Sequence, residues 1–209
     1  NARTCPEAQE YHNKSEDLVS QGLTEPTPKT FCEHLNYYDC SKVSDGAASI
    51  VVANRRGLDE LGIENKNAIE VMGIGHAVDD ITREPEDLTE LTTTKKAVSN
   101  ALLMAGARPN EISLFESHDC FSITGLLSLE AAGFCDPGES ADFVIAGESR
   151  HSGTHPVNST GGLIGHGHYT GGTGVRQAVD IYKQLLQKAE KSQIKMSTQK
   201  IKKILIGNL

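Results

Sequence analysis

A glycine-rich stretch in the last quarter of the chain carries two histidines. Seven of the fourteen residues from 161 to 174 are glycine, and His166 and His168 lie among them. Glycine accepts positive φ angles and lets a backbone come close to a ligand. Histidine titrates near neutral pH, so it can act as a base or donate a hydrogen bond. The stretch is therefore the first candidate for a catalytic loop.

Two other chemistries compete for this stretch. Its glycine spacing matches neither the P-loop nor the dinucleotide-binding pattern, because no Lys-Ser/Thr pair follows and no predicted strand directly precedes it. His166 and His168 could bind zinc together with His151 and His155, but no paired cysteines accompany them and the spacing is irregular. We therefore predict no metal site. We interpret His151 and His155 as surface loop residues and leave the role of His166 open.

A second cluster of reactive side chains lies in residues 117–121, Ser-His-Asp-Cys-Phe, where a predicted strand ends and a helix begins. Open α/β sheets bind their ligands at the carboxyl ends of their strands. A cysteine at a helix N-terminus has its thiolate favoured by the helix dipole, and a thiol such as Cys120 can exchange a proton with a carbon acid. The alternative is a small buried cysteine, with Asp119 as a helix cap and His118 bonded to backbone.

The elements that position these residues alternate between strand and helix, which predicts an α/β layer architecture. Asn54 is expected to cap the helix that ends before Gly62, and Gly106 to end the one that follows residues 92–94. The predicted strands cover residues 47–53, 69–78, 112–116, 143–146 and 203–206, and the predicted helices begin near residues 14, 54, 92, 122 and 175.

Composition excludes several classes of function. The net charge of −8 argues against a nucleic-acid surface, which needs a basic face. No apolar run approaches the roughly 20 residues that span a bilayer. The five cysteines have no CxxC spacing, which indicates free thiols in a reducing compartment. The chain lacks both an initiating Met and a signal-peptide pattern, so we expect a fragment or a processed chain.

The reactive stretches together resemble the thiolase family. Residues 158–162, Asn-Ser-Thr-Gly-Gly, and 167–174, Gly-His-Tyr-Thr-Gly-Gly-Thr-Gly, are similar to that family's Asn-x-x-Gly-Gly and Gly-His-Pro-x-Gly-Ala-Thr-Gly segments. Most thiolases have Asn-Glu-Ala-Phe at the strand–helix junction, whereas residues 118–121, His-Asp-Cys-Phe, resemble the sterol-carrier-protein-type subgroup. The turn at 44–48 and the pair Asn208-Leu209 fit the same subgroup.

The resemblance implies a subunit roughly twice this length, layered α-β-α-β-α, with two similar βαβαβαββ halves and a loop domain. Residues 1–42 would be the remainder of the loop domain, which binds substrate and coenzyme A. Residues 43–209 would be the C-terminal half, a mixed sheet flanked by helices that lacks its last strand. The nucleophilic cysteine would belong to a missing N-terminal half, and the full-length protein would form a homodimer in mitochondria or peroxisome-like organelles such as glycosomes, or in the cytoplasm.

The resemblance also implies a reaction, the thiolytic cleavage of a 3-ketoacyl-CoA or the reverse Claisen condensation. His168 would deprotonate the nucleophilic cysteine and help bind the thioester oxygen, and His118 would complete that oxyanion hole. Cys120 would exchange a proton with the substrate α-carbon. Ser41 aligns with a serine that contacts the pantetheine of coenzyme A. Acyl-CoA and coenzyme A would be substrates, with no tightly bound cofactor.

Three residues depart from the family pattern near His168: Tyr169 replaces a proline, Thr170 an apolar residue and Gly172 an alanine. Proline would restrict φ at that position, and tyrosine removes the restraint while adding bulk. A thiolase-like protein that binds acyl-CoA but turns it over poorly is therefore the alternative. A thiolase-like aldolase acting on CoA-linked steroid side chains is a third hypothesis, against which the intact His168 argues.

Overall fold

The structure, a computed structural model, describes residues 30–32, 35–36, 39–195 and 204–207. Its helices alternate with short strands along the chain, in agreement with the predicted α/β class. The predicted helix near residue 14 lies outside the described residues. So does most of the segment 1–42, and its assignment to a loop domain stays a prediction.

Within the described residues the strands are short and the helices span five to fourteen residues. The strands are β1 (Thr30–Cys32), β2 (Leu35–Asn36), β3 (Leu114–Ser117) and β4 (Ile204–Gly207). The α-helices are α1 (Arg55–Glu60), α2 (Thr92–Ala105), α3 (Ser122–Ala131), α4 (Ser140–Ile145), α5 (Gly162–His166) and α6 (Thr173–Leu185). Single 3-10 turns cover Asn65–Asn67, Pro109–Glu111 and Glu190–Ser192.

Strand β3 is the element on which the site is built. It pairs in parallel with β4, with Leu114 opposite Ile204 and Ser117 opposite Gly207. On its other side Phe115 forms a parallel bridge to Val157, and all four β3 residues are buried. A strand covered on both faces and both edges has little freedom to move, so the residue that follows it is held in a defined place.

The main hydrophobic core lies against β3 and centres on Phe115, whose side chain is fully buried. Full burial of such a side chain contributes roughly 1.5–3 kcal/mol. The side chains packed with it come from α2, α3, β4 and the flanking loops: Val98, Leu102, Ile112, Leu129, Ala132 and Leu205. This core anchors the strand whose carboxyl end carries the reactive residues.

Helices with clear end signals form where the sequence predicts them. Asn54 caps α1, because its Oδ1 accepts a hydrogen bond from the Gly57 amide at 2.9 Å. Helix α2 ends at Gly106, which adopts the left-handed conformation with φ 58°. None of the described helices has both the length and the apolar character needed to cross a membrane.

The predicted strands at 47–53 and 69–78 do not form, because no described segment pairs with either of them. The second stretch instead runs across α2. A Cβ atom at Gly73 would overlap the carbonyl oxygen of Ala101, and one at Gly75 that of Ala97. The two glycines therefore serve a close approach between backbone and helix.

Two further elements differ from the prediction. Residues 143–146 belong to α4 and its C-cap and form no strand, because a short apolar run does not distinguish strand from helix. The hydroxyl of Ser140, the first residue of α4, donates to Glu130 at 2.6 Å and ties the helix to α3. The glycine-rich stretch is not open throughout, since residues 162–166 form the short helix α5.

Candidate active site

His168 occupies the turn between α5 and α6, and a neighbouring segment holds its backbone. The His168 amide donates to the Lys42 carbonyl at 3.1 Å, and His168 forms a parallel bridge with Val43. Gly167 has φ 92°, and a Cβ atom there would overlap the Ser44 hydroxyl. Glycine before the histidine is thus required both by its conformation and by the segment that lies against it.

The hydrogen bonds of His168 define which ring nitrogen is basic. Its Nδ1 lies 2.7 Å from the Thr173 hydroxyl, and that hydroxyl donates its single proton to the Tyr169 carbonyl at 3.1 Å. The hydroxyl therefore accepts from Nδ1–H, which leaves the lone pair on Nε2. Thr173, the first residue of α6, thus orients the imidazole as a base.

A second imidazole stands against the first. The rings of His118 and His168 have centroids 4.8 Å apart and meet edge to face at 84°. Burial lowers the pKa of His168 below its ordinary value, and the neighbouring His118 lowers it further. A lowered pKa keeps His168 neutral at physiological pH, which is the form a general base requires.

His118 directly follows β3 and is buried, with 7% of its surface exposed. The preceding residue is held at each of its polar groups. The Ser117 amide donates to Asn158 Oδ1 at 2.7 Å, Asn158 Nδ2 donates to the Ser117 hydroxyl at 3.1 Å, and Gln177 Nε2 donates to the Ser117 carbonyl at 2.9 Å. These contacts fix the backbone directly before His118 and tie the strand end to Asn158 and to α6, on either side of the glycine-rich stretch.

Asp119 joins the strand end to the glycine-rich stretch itself, in a way the sequence does not predict. It does not cap α3, whose N-cap position is held by Phe121 without a side-chain bond. Its Oδ1 instead accepts from the Leu163 amide at 2.7 Å, in the first turn of α5. Burial raises the pKa of Asp119 to about 6, against the hydrogen bonds from Leu163 and Asn158 that lower it.

Cys120 is half-buried, and its thiol is the stable form. Burial raises the pKa of Cys120 above its ordinary value, although the Phe121 amide and the Thr124 hydroxyl, which donate to the sulfur, partly offset this. Asp119 raises the pKa further. The expectation of a thiolate favoured by the helix N-terminus is therefore wrong, because burial outweighs the donors. A neutral thiol is suited to giving up a proton.

Ser41 lies next to Cys120 in space, although 79 residues separate them in the sequence. The Ser41 amide donates to the Cys120 carbonyl at 2.8 Å, and Cys40 forms an antiparallel bridge with Phe121. The four residues that the sequence singles out therefore lie on segments joined by backbone hydrogen bonds: His168, His118, Cys120 and Ser41. The segment 41–42 bonds both His168 and Cys120.

The other histidines near the loop have structural roles. His151 donates from Nε2 to the Ser159 carbonyl at 2.7 Å, and His166 donates from Nε2 to the Thr160 carbonyl. His155 bonds the Ile112 carbonyl at 3.1 Å; both histidines lie in turn segments, as predicted, but each is half-buried with its ring hydrogen-bonded to a backbone carbonyl. Within the described part of the chain, no group of three or more His, Cys, Asp or Glu side chains is arranged to hold a metal ion.

A buried carboxyl group on β3, that of Glu116, is not predicted from the sequence. Glu116 accepts from the amide and hydroxyl of Ser159 at 2.9 and 2.7 Å, and burial raises its pKa to about 8. The signal was a charged residue inside the otherwise apolar run of β3. The buried position of Gln177 is not predicted either, because nothing in the sequence of α6 distinguishes it from a surface residue.

Tyr169 explains one of the departures from the family pattern. Its ring packs over Gly46 and Gly172: a Cβ atom at Gly46 would lie 2.7 Å from the ring, and one at Gly172 would overlap it. The alanine usual at position 172 is thus incompatible with this tyrosine. Tyr169 and Gly172 therefore depart from the family pattern together, because the tyrosine ring fills the space that a Cβ atom at position 172 would need.

Strand β3, the two histidines and the glycine-rich stretch belong to an α/β protein, and comparison with known proteins shows its family. Residues 74–202 match the family described as thiolase C-terminal domain-like. This chain belongs to the thiolase family, as its sequence resemblance predicts.

Its relatives carry two kinds of name. The chain is 37% identical over 161 residues to the acetyl-CoA acetyltransferase of Methanothermobacter thermautotrophicus, a match that covers 77% of this chain and 41% of that protein. It is 32% identical over 174 residues to human sterol carrier protein 2, a match that covers 79% of this chain and 31% of that protein. The chain thus spans less than half of either relative.

A solved structure with a similar fold is described as Ltp2-ChsH2(DUF35) aldolase. The two superpose with a TM-score of 0.70, over 98% of this chain and 51% of the other, at 18% sequence identity. At that identity the likeness establishes the fold alone.

Proposed function

We propose that this chain is the C-terminal part of a thiolase-type acyltransferase that cleaves 3-ketoacyl-CoA with coenzyme A, or runs the reverse condensation. The observation that carries the proposal is the pair of imidazoles 4.8 Å apart, one of them oriented as a neutral base. The acetyl-CoA acetyltransferase relatives support the acyl-transfer chemistry.

The residues take consecutive roles in the proposed reaction. Nε2 of His168 accepts the thiol proton of a cysteine supplied by the rest of the subunit, and the thiolate attacks the keto carbonyl. The bond between the α-carbon and that carbonyl breaks, and the electron pair becomes the enolate of the departing acyl-CoA. The Cys120 thiol protonates the enolate carbon. The Cys120 thiolate then takes the proton of the coenzyme A thiol, whose sulfur attacks the acyl-enzyme, and the departing cysteine sulfur recovers its proton from His168 Nε2.

His118 and Ser41 bind substrate in this proposal. The imidazole of His118 donates a hydrogen bond to the substrate oxygen that becomes negative, and one such donor contributes about 3–4 kcal/mol to lowering a barrier. Ser41 contacts the pantetheine arm of coenzyme A, as part of a loop-domain segment 1–42 that precedes the C-terminal domain 43–209. A homodimer in mitochondria or peroxisomes completes the proposal.

The test is the activity of the full-length protein on acetoacetyl-CoA with coenzyme A. Replacing Cys120 with alanine should lower kcat by about 10²–10⁴, the usual worth of a positioned acid or base, while leaving the unfolding transition in place. Cys135→Ala is the matched control, since Cys135 is also half-buried but packs against the core around Phe115. Unimpaired turnover in Cys120→Ala would remove Cys120 from the mechanism.

A second candidate, an acyl-CoA-binding protein with little or no turnover, is favoured by Tyr169, which stands next to the proposed base where the family has proline. The sterol carrier protein 2 relatives are compatible with it. Calorimetry with acyl-CoA and the cleavage assay distinguish the two: binding without cleavage by the wild-type protein supports the second candidate. A residue other than cysteine at the nucleophile position of the full-length sequence would exclude the enzyme.

A further inference from the structure

A small cavity lies where β3, the glycine-rich stretch and α6 meet. It measures about 10 Å³, close to the smallest volume that holds one water molecule. The polar side chains that line it come from β3, the glycine-rich stretch and α6: Glu116, Thr160, Thr173, Arg176, Gln177 and Asp180.

Gln177 lines this cavity, and one of the two polar atoms of its side-chain amide has no hydrogen-bond partner among the described residues. Its side chain is buried, with 4% of the residue exposed, and Nε2 donates to the Ser117 carbonyl at 2.9 Å. Among the residues that the structure describes, none makes a hydrogen bond with Oε1. A buried acceptor left without a donor costs about 1–3 kcal/mol, so a donor from another source is expected.

The neighbours of Gln177 in the cavity show where such a donor comes from. Asp180 accepts a hydrogen bond from Thr160 at 3.1 Å and forms an ion pair with Arg176 at 3.4 Å. These three side chains are therefore bonded to one another. Glu116 uses Oε1 to accept from Ser159. Burial raises the pKa of Glu116 to about 8, so at neutral pH its carboxyl carries a proton that it can donate. A water molecule between the two would accept from Glu116 and donate to Gln177.

We propose that Gln177 is a positioning residue for His118, held in its working conformation by one internal water molecule between its Oε1 atom and the carboxyl of Glu116. Gln177 acts through the Ser117 carbonyl, one peptide away from His118. If the Gln177 amide could adopt more than one orientation, its hydrogen bond to the Ser117 carbonyl would weaken. The end of β3, and the His118 imidazole that follows it, would then be held less firmly against His168. The proposal rests on the proposed function only for its kinetic consequence.

The test uses the full-length protein with Gln177→Met, which keeps the length of the side chain and removes both amide atoms. Gln184→Met is the matched control. Gln184 is a fully buried glutamine on the same helix whose Nε2 donates to the Ser192 carbonyl at 2.7 Å and whose Oε1 accepts from the Ile194 amide at 3.0 Å, remote from the histidines. Gln184→Met removes three buried side-chain hydrogen bonds and Gln177→Met removes one, so a larger kinetic effect of Gln177→Met would reflect its place at the site.

Three readouts are decisive. A crystal structure of the wild-type protein should show a water within hydrogen-bond distance of Gln177 Oε1 and Glu116. Gln177→Met should lower kcat by about tenfold to a hundredfold, as expected for a small misplacement of a catalytic group, with KM little changed. It should also shift the His118 resonance in an NMR titration, whereas Gln184→Met should alter neither kcat nor that resonance.

Several outcomes would overturn the proposal: a dry cavity in the crystal structure, an unshifted His118 resonance in Gln177→Met, or equal effects of the two variants on kcat. The crystal structure and the NMR titration need no turnover. If the wild-type protein cleaves no 3-ketoacyl-CoA, the proposed function fails while these two readouts still decide the role of Gln177.

Discussion

At the scale of single residues, Tyr169, which follows the proposed base His168, restricts which residues can occupy positions 46 and 172. The Tyr169 ring lies over Gly46 and Gly172, and burial raises the pKa of its hydroxyl, so the phenol stays neutral. Because Gly172 has φ −97° and ψ −24°, its backbone is compatible with alanine. Only the ring of Tyr169 stands in the way of a Cβ atom there.

This contact predicts a strong coupling between positions 169 and 172. Gly172→Ala should lower the free energy of unfolding by about 1–3 kcal/mol, the usual cost of overpacking. In a Tyr169→Ala background the same change should be neutral, or stabilising by about 0.4–1 kcal/mol, because alanine restricts the unfolded chain. Urea denaturation of the four proteins of the cycle measures the coupling. Additive effects would show that ring and Cβ do not meet.

At the scale of elements, β3 buries an ionisable side chain inside a sheet. Glu116 is 1% exposed and its pKa of about 8 lies above the ordinary 4.5. The folded protein therefore holds this proton more tightly than the unfolded chain does. As pH rises from about 4.5 to about 8 the unfolded state releases its proton first, and the stability contributed by the neutral carboxyl is progressively lost.

The expected result is a free energy of unfolding that falls with pH across this window, by at most about 1.4 kcal/mol per unit from Glu116 alone. Glu116→Gln is neutral at every pH and should flatten the slope. Glu148→Gln is the control, because Glu148 is a partly exposed carboxylate whose pKa is lowered by the Thr154 hydroxyl, and it should leave the slope unchanged. Urea denaturation at several pH values checks this; equal slopes in wild type and Glu116→Gln would contradict it.

The elements also show which parts of the fold can be predicted from local sequence. Helices α1 and α2 could be predicted because their end signals, Asn54 and Gly106, act on the adjacent backbone. The strands at 47–53 and 69–78 could not, because a strand exists only where another segment pairs with it. At the site, the reactive residues His118 and His168 were recognisable by type and motif. Ser117, which precedes His118, is held by residues 41 and 60 positions away, and the His168 amide by Lys42, 126 positions away. No local pattern reveals these contacts.

At the scale of the whole molecule, the segment 43–88 exposes many large apolar side chains. They include Val51, Val52, Val71, Ile74, Val78, Ile81 and Leu88, each at least 67% exposed. Large exposed apolar surface in a protein commonly marks a contact with a partner surface. The chain spans 41% of its acetyltransferase relative, and the proposed function takes its nucleophile from outside these residues. We expect the rest of the subunit to cover this segment.

A pair of substitutions in the full-length protein tests that expectation. Val71→Gln should lower the free energy of unfolding by about 1–3 kcal/mol, because covering the segment would bury an amide without a partner. Leu103→Gln is the matched control: Leu103 is 82% exposed on α2, outside the segment, and its replacement should stay within about 0.5 kcal/mol. Chemical denaturation of both variants gives the comparison. If Val71→Gln proved as mild as the control, the segment would face solvent in the complete protein, and the nucleophile would have to reach His168 across a different surface.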